Sequence, residues 1–450
     1  MFRLVCVCLI VAATSSSTLS AQDAAQWDEV EMELEMRDRR IKQLEERVNH
    51  LWEHLHGDPH ADEHEEHDGH SGDVRFRLLD LSLNIMTAFG TSTSTNDELR
   101  GLQLGNHDPR RRGFTLQQAE LAFAGALEPF FAGEAYLVAT DETVELEEAF
   151  LRSLFLPWFE LKGGYFFTEF GRINKLHPHE WRFMDQSIAV GRMLSPEGMR
   201  GVGGRAAFSI HAPWHSRWLL TVQNADDASM VSFLGEGHDH GHGHEEEEHG
   251  EETVGGWPRT DRRVRNIGDL LYSFRWENAF DLGEHFRLEQ GISFATGPNA
   301  TGETGRTWLA GGDLMFEWRK GDAFARIEGE FIYRYFQANR GEHEDEVLEP
   351  TVLGDWGWYV EMTGSPVRDF YFGVRVGHAS GFRSGEELRQ EDPRRDNRWR
   401  ISPIVAYHPL DEFAVTLQYN FDHTQHLGGE TSHSVWLGIR VLFGVHKHIH

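Results

Sequence analysis

The stretch Phe413-Ala-Val-Thr-Leu-Gln-Tyr-Asn-Phe-Asp422 alternates strictly. Phe413, Val415, Leu417, Tyr419 and Phe421 fall on one face, and Ala414, Thr416, Gln418, Asn420 and Asp422 on the other. A repeat of two is the side-chain period of a β-strand. A soluble sandwich strand usually ends after about 5 or 6 residues, whereas this one has the length of a strand crossing a hydrocarbon layer. Val435, Leu437, Ile439, Val441 and Phe443 repeat the pattern against Ser434, Trp436, Gly438, Arg440 and Leu442, with Trp436 and Leu442 blurring the contrast. Leu79, Leu81, Leu83 and Ile85 do the same against Asp80, Ser82 and Asn84.

Outward from these three segments, about sixteen of the kind can be placed. They are 75–90, 113–128, 130–140, 145–157, 158–168, 200–213, 215–224, 267–281, 284–297, 306–319, 322–337, 355–365, 368–380, 397–408, 411–424 and 432–443. Short links such as Asp281-Leu-Gly-Glu284 and His408-Pro-Leu-Asp411 alternate with long ones: Thr91–Arg112, Glu169–Met199, Ala225–Asn266, Gln337–Gly354 and Ser380–Asp396. That asymmetry is expected of an outer-membrane barrel with short periplasmic turns and long external loops. Trp158, Phe159, Trp308, Trp318, Trp356, Trp358, Trp399 and Tyr407 lie near strand ends, where two interfacial aromatic girdles are expected. The expected fold is all-β: a 16-stranded antiparallel transmembrane β-barrel over 74–444, preceded by an N-terminal α-helical coiled coil.

The chain has 450 residues, and 43 Lys and Arg against 73 Asp and Glu give a formal charge of −30, which argues against a nucleic-acid partner. Residues 1–21 read as a signal peptide, with Arg3, an apolar core from Leu4 to Ala13, and a Ser/Thr run ending at Ala21. Leu19 fits a cleavage site poorly, which leaves the cut position open. Both cysteines, Cys6 and Cys8, fall inside this segment, so the mature chain has no thiol chemistry. Residues 22–56 read as a coiled-coil helix with Trp27, Leu34, Ile41, Val48 and Leu55 at heptad position a, and Val30, Leu44 and Leu51 at d. Branched residues at a with Leu at d suit two strands, while Arg40-Ile-Lys-Gln-Leu-Glu45 suits three. An acidic, His-rich linker follows over 57–73. An even strand count leaves both barrel ends in the periplasm, and the helix with them.

Trp158-Phe-Glu-Leu-Lys-Gly-Gly-Tyr-Phe-Phe-Thr-Glu-Phe-Gly171 resembles a signature strand of the phosphate-selective porin O and P family. Glu147-Glu-Ala-Phe-Leu151 upstream, and Phe183-Met-Asp-Gln-Ser187 and Arg200-Gly-Val-Gly203 downstream, are similar to its neighbouring segments. The resemblance spans 114–225. It implies a sixteen-stranded homotrimer in outer-membrane lipid, whose third long loop folds into the lumen. Here that loop is 169–199, with constriction residues Glu169, Arg172, Lys175, Arg182 and Arg192. Anion-selective members line the pore with Lys and Arg. The lumen positions inferred here (Arg326, Glu328, Glu330, Arg334, Arg375, Arg398, Arg400 and Arg440) are instead mixed, and one sign must dominate a narrow pore to set ion preference.

Histidine is the second departure, with 27 residues. His60, His64 and His67 lie in the linker; His238, His240, His242, His244 and His249 lie in the loop 225–266; a tail over 445–450 carries His446, His448 and His450. Imidazole beside carboxylate suits a divalent metal, zinc by availability and ligand mixture. The plainer reading makes them solvated acidic tracts. No cofactor is required, and no nucleophile elbow, His-Glu-x-x-His motif or phosphate-binding glycine loop points to an enzyme. The expected function is passive diffusion of small hydrophilic solutes and ions through an outer-membrane porin, possessing His-rich segments that capture zinc. An anion or phosphate porin and an outer-membrane to cell-wall tether are the alternatives. Deleting residues 235–252 should lower zinc uptake by the purified protein in equilibrium dialysis; unchanged uptake rejects the tract as a ligand.

Overall fold

The computed structural model describes residues 75–444 except 142, 236–252, 255–256, 344–345 and 383–394. The expected signal peptide, coiled-coil helix, linker and tail lie outside the described residues, as do His60, His64, His67, His238, His240, His242, His244 and His249.

Sixteen strands close into one barrel. They are β1 (Arg75–Ser92), β2 (Gly113–Glu128), β3 (Phe131–Ala139), β4 (Val144–Ser153), β5 (Phe159–Phe167), β6 (Arg200–Ser209), β7 (His215–Asn224) and β8 (Leu270–Asp281). The second half comprises β9 (Phe286–Pro298), β10 (Arg306–Lys320), β11 (Ala323–Ala338), β12 (Thr351–Val367), β13 (Phe370–Phe382), β14 (Arg398–Leu410), β15 (Phe413–Thr424) and β16 (Thr431–Gly444). Each strand pairs antiparallel with its neighbour in sequence, and β1 pairs with β16 from Ser82↔Gly444 to Ser92↔Ser434. Only an even count lets the first and last strands meet antiparallel. Every expected segment is a strand. The largest boundary shifts are β12, which begins at Thr351 rather than 355, and β4 and β6, which end at Ser153 and Ser209 rather than 157 and 213.

Turn and loop ends separate as expected, but not every connection at the loop end is long. Links 140–143, 299–305 and 425–430 are tight, and the first is closed by a Thr140 N–H to Thr143 carbonyl bond. Long links in the rest carry the bulk: L1 (93–112) with helix α1 (Asn96–Leu102), L3 (168–199) with helix α2 (Ile188–Met193), and L4 (225–269).

Side-chain alternation follows the wall. On β16 Val435, Leu437 and Ile439 are exposed outward, while Ser432, Ser434 and Trp436 are buried inside. Trp436 interrupts the polar face because the lumen there is filled. It packs with Ala88 of β1, Leu99 of α1 and Met184 of L3. Aromatic groups collect on the outer face at both ends. Trp358 and Trp399 meet edge-on at 5.6 Å over His378 at the loop end, and Phe370 and Tyr407 lie 4.6 Å apart at the turn end.

A cation in the middle of the outer face has no partner in hydrocarbon. Leu437→Arg should therefore cost about 2–4 kcal/mol in unfolding titrations in lipid vesicles; an unchanged midpoint would mean this face is not lipid-facing.

Candidate functional site

L3 leaves the wall at Phe170-Gly171. Gly171 takes φ 65°, and a Cβ there would run into the Glu330 carboxylate, so glycine is required for the chain to turn inward. The Gly171 N–H donates to Ser293 Oγ at 3.0 Å, and Asn174 closes the loop by bonding the Thr168 and Met199 carbonyls at 2.9 and 3.0 Å. On one side L3 is apolar. Phe170, Ala189, Val190, Met193 and Leu194 are fully buried or nearly so, against Leu271, Ala295, Leu309, Ile332 and Tyr359 of β8–β12 and against Met230, Phe233 and Leu234 of L4. These inward apolar residues of the wall are sockets for the loop.

The other side is polar and is held by Asp185. Its carboxylate accepts from Arg400 Nη1 at 2.8 Å, Gln418 Nε2 at 2.7 Å and Asn420 Nδ2 at 2.7 Å, and it contacts Arg375 Nη2. Burial would raise the Asp185 carboxyl, but Arg375 and Arg400 beside it hold it below the usual carboxylate value. A carboxyl depressed in the folded state contributes stability that is complete above its unfolded value of about 3.9 and is lost as pH falls through the folded one. The L3 anchor thus weakens only as pH falls below the ordinary carboxylate range.

Two β-bulges add grip. The β3–β4 register slips between Tyr136 and Leu137, and the extra residue on β4 turns both Glu147 and Glu148 inward. A slip between Met86 and Thr87 likewise turns both Gln117 and Gln118 inward on β2. Gln117 Nε2 donates to the Met184 carbonyl of L3 at 2.9 Å and to the His107 carbonyl of L1 at 2.8 Å.

Beside L3 lies a cavity of about 830 Å³ whose lining carries eleven Lys and Arg side chains against ten Asp and Glu. Of the five expected constriction residues, Glu169, Arg172, Lys175 and Arg182 line it and Arg192 does not. Glu169 contacts Arg205; Arg172 donates to Glu289 at 2.9 Å and to Glu328 at 3.2 Å. Lys175 reaches Glu277 at 3.3 Å, and Arg182 lies 3.7 Å from Glu328. Arg192 is fully buried on Asp396 at 2.7 Å, tying α2 to the loop before β14. Of the inferred lumen residues, Arg326, Glu328 and Arg375 line the cavity. Glu330 lies under the start of L3, accepting the Arg172 backbone N–H at 3.3 Å. Arg334 binds Asp355 at 2.8 Å, and Arg398 and Arg400 share Asp422 at 3.0 and 2.9 Å. Arg440 lines a smaller cavity and donates to the His179 carbonyl.

Sequence reasoning missed a buried group around His177: Glu120, Glu147, Glu148, His107 and His179. The available signals were His177-Pro-His179 within the inward loop and the pair Glu147-Glu148, which violates alternation.

No known family's sequence profile matches the chain. An uncharacterized protein of Aquifex aeolicus (strain VF5) is 25% identical over 323 residues, covering 66% of this chain and 64% of the relative, so the match spans less than two thirds of that protein. Among solved structures, Pseudomonas putida OprB has a TM-score of 0.51 at 7% identity, over 82% of this chain and 94% of that one. The outer membrane channel DcaP of Acinetobacter baumannii has a TM-score of 0.50 at 9% identity, over 82% and 97%. At these identities the likeness is one of fold, and it does not single out the phosphate-selective porin O and P family.

Asp185→Asn removes the L3 charge facing two buried arginines, each of which keeps one wall carboxylate, Glu361 or Asp422. The variant should lose roughly 3 kcal/mol, the lower end for breaking a buried pair, and show noisier single-channel currents. An unchanged unfolding midpoint with quiet currents would remove Asp185 as the anchor.

Proposed function

We propose that the protein is a passive outer-membrane porin for small hydrophilic solutes and ions, with weak charge preference. The observation that carries this reading is a closed sixteen-strand barrel whose interior holds a charge-lined cavity beside an inward-folded loop. The outward aliphatic face and its aromatic ends support a lipid surround in the bacterial outer membrane. In this reading Arg172, Lys175 and Arg182 on L3, with Arg326, Glu328 and Arg375 on the wall, tune the passage. Export by the signal peptide, a homotrimer, a periplasmic coiled coil and zinc capture by the His tracts complete it; each rests on sequence.

Balanced charge favours weak selectivity over an anion or phosphate filter. Arg172, Lys175 and Arg182 stand 2.9, 3.3 and 3.7 Å from a carboxylate, so each charge is largely offset by its pair, and salt screens the remainder beyond about 8 Å. Planar bilayers test this. Discrete openings with a small reversal potential in a KCl gradient are expected, and Lys175→Glu should move that potential toward cation preference. Absence of openings removes the pore; a large anion-selective potential in the unmodified protein hands the reading to the phosphate-type alternative.

A further inference from the structure

At the edge of the cavity, which Glu148 and His177 touch, lies a further buried group. Glu120 on β2, Glu147 and Glu148 at the β4 bulge, His177 and His179 on L3 and His107 on L1 are all at least nine-tenths buried. They come from four separate chain segments. One ligand atom each from Glu120, Glu147 and His177 lies within 4.8 Å of the other two. His177 Nδ1 is 2.7 Å from Glu147 Oε2 and 3.4 Å from Glu120 Oε2, and His179 Nδ1 is 3.2 Å from Glu120 Oε2. Ligands held about 2.0–2.2 Å from a tetrahedral metal stand about 3.4 Å from one another. The 3.4 and 3.2 Å separations match that spacing, while the 2.7 Å one is a hydrogen bond that an entering metal would replace and lengthen.

Hydrogen bonding around the group points the same way. His107 Nδ1 faces the Gln117 carbonyl at 3.1 Å, and a carbonyl only accepts, so this nitrogen carries the proton. The remaining nitrogen, Nε2, then turns toward Glu147 Oε1 at 3.8 Å, and neither atom makes a hydrogen bond. A cation between these two buried atoms, whether a proton on Nε2 or a metal ion, satisfies both. His177 Nε2 is directed at Glu148 Oε2 at 3.2 Å, and that carboxylate is itself fixed by the Phe167 N–H at 2.9 Å. A ligand histidine whose far nitrogen donates to a carboxylate is the usual outer support of a zinc site. The rings of Tyr136 at 4.3 Å and Phe167 at 5.5 Å wall His177 in.

We propose that Glu120, Glu147 and His177 bind a divalent cation of the zinc class, with His107 and His179 at its flanks, and that this ion clips L3 to the barrel wall. Imidazole nitrogen with carboxylate oxygen suits Zn²⁺ and disfavours Ca²⁺ or Mg²⁺, which take oxygen shells. Glu148 is a positioning residue: it orients His177 without touching the metal. The site stands whether or not the barrel conducts, and it shares no residue with the His tracts.

The experiment is anomalous diffraction at the zinc edge on crystals of the full chain soaked in Zn²⁺, where position separates this site from the tracts. A peak bounded by Glu120, Glu147 and His177 is expected. In solution, Zn²⁺ titration of Glu147→Gln should lose one high-affinity equivalent per chain, Glu148→Gln should keep it at roughly 10–100-fold weaker affinity, and excess Ca²⁺ should not displace it. No peak between these residues overturns the proposal, even if Glu147→Gln fails to fold. Displacement by Ca²⁺ overturns the nitrogen-donor assignment.

Discussion

Everything in the molecule follows from the closure of β1 on β16. In lipid a backbone N–H or C=O without a partner costs several kcal/mol, so a sheet can cross only if it has no edge. Closure removes the edge and at the same stroke divides space in two. One face of each strand must then be apolar, as Val435, Leu437 and Ile439 are, and the other may carry charge. The interior is where this chain places its arginines and carboxylates.

An interior lined with charge does not by itself hold a loop in place. L3 is fixed there by two chemically different sides. Its apolar side drops Val190, Met193 and Leu194 into sockets made by Leu309, Ile332 and Tyr359, which orients it without directional bonds. Its polar side converges on Asp185, whose partners come from β13, β14 and β15. Buried ion pairs of this kind contribute little net stability relative to apolar packing, because desolvation offsets their attraction. What they supply here is position: a shift of L3 along the wall would part Asp185 from Arg375 and Arg400 and leave each arginine a single wall carboxylate.

Strands were legible because a lipid-spanning wall repeats one simple demand along its whole length, and the demand has a period of two. Legibility failed wherever the interior stopped being uniform water. Trp436 blurs the polar face until L3 and α1 are seen packed against it, and Leu309 points inward because L3 covers it. Glu147-Glu148 and Gln117-Gln118 read as lapses of alternation because a bulge leaves no mark beyond the lapse itself. Arg192 read as a constriction charge since it sits in the inward loop, but its partner Asp396 lies two hundred residues on, where no local pattern joins them. The loop's place was readable, and the direction of each of its side chains was not.

The same distinction separates two kinds of histidine in this chain. In His238-Asp-His-Gly-His-Gly-His244 the signal is local abundance, imidazoles spaced by Gly and Asp within seven residues of one another. His177 is different, because Pro178 fixes φ beside it, Glu180 accepts its backbone N–H at 3.0 Å, and aromatic rings hold its plane. Folding has already met the ordering cost there, and the bulge that turns two carboxylates toward it has no other evident use in the wall. Abundance marks the first kind and convergence the second. Composition finds abundance; convergence is a property of the closed barrel alone, which brings β2, β4, L1 and L3 to one point.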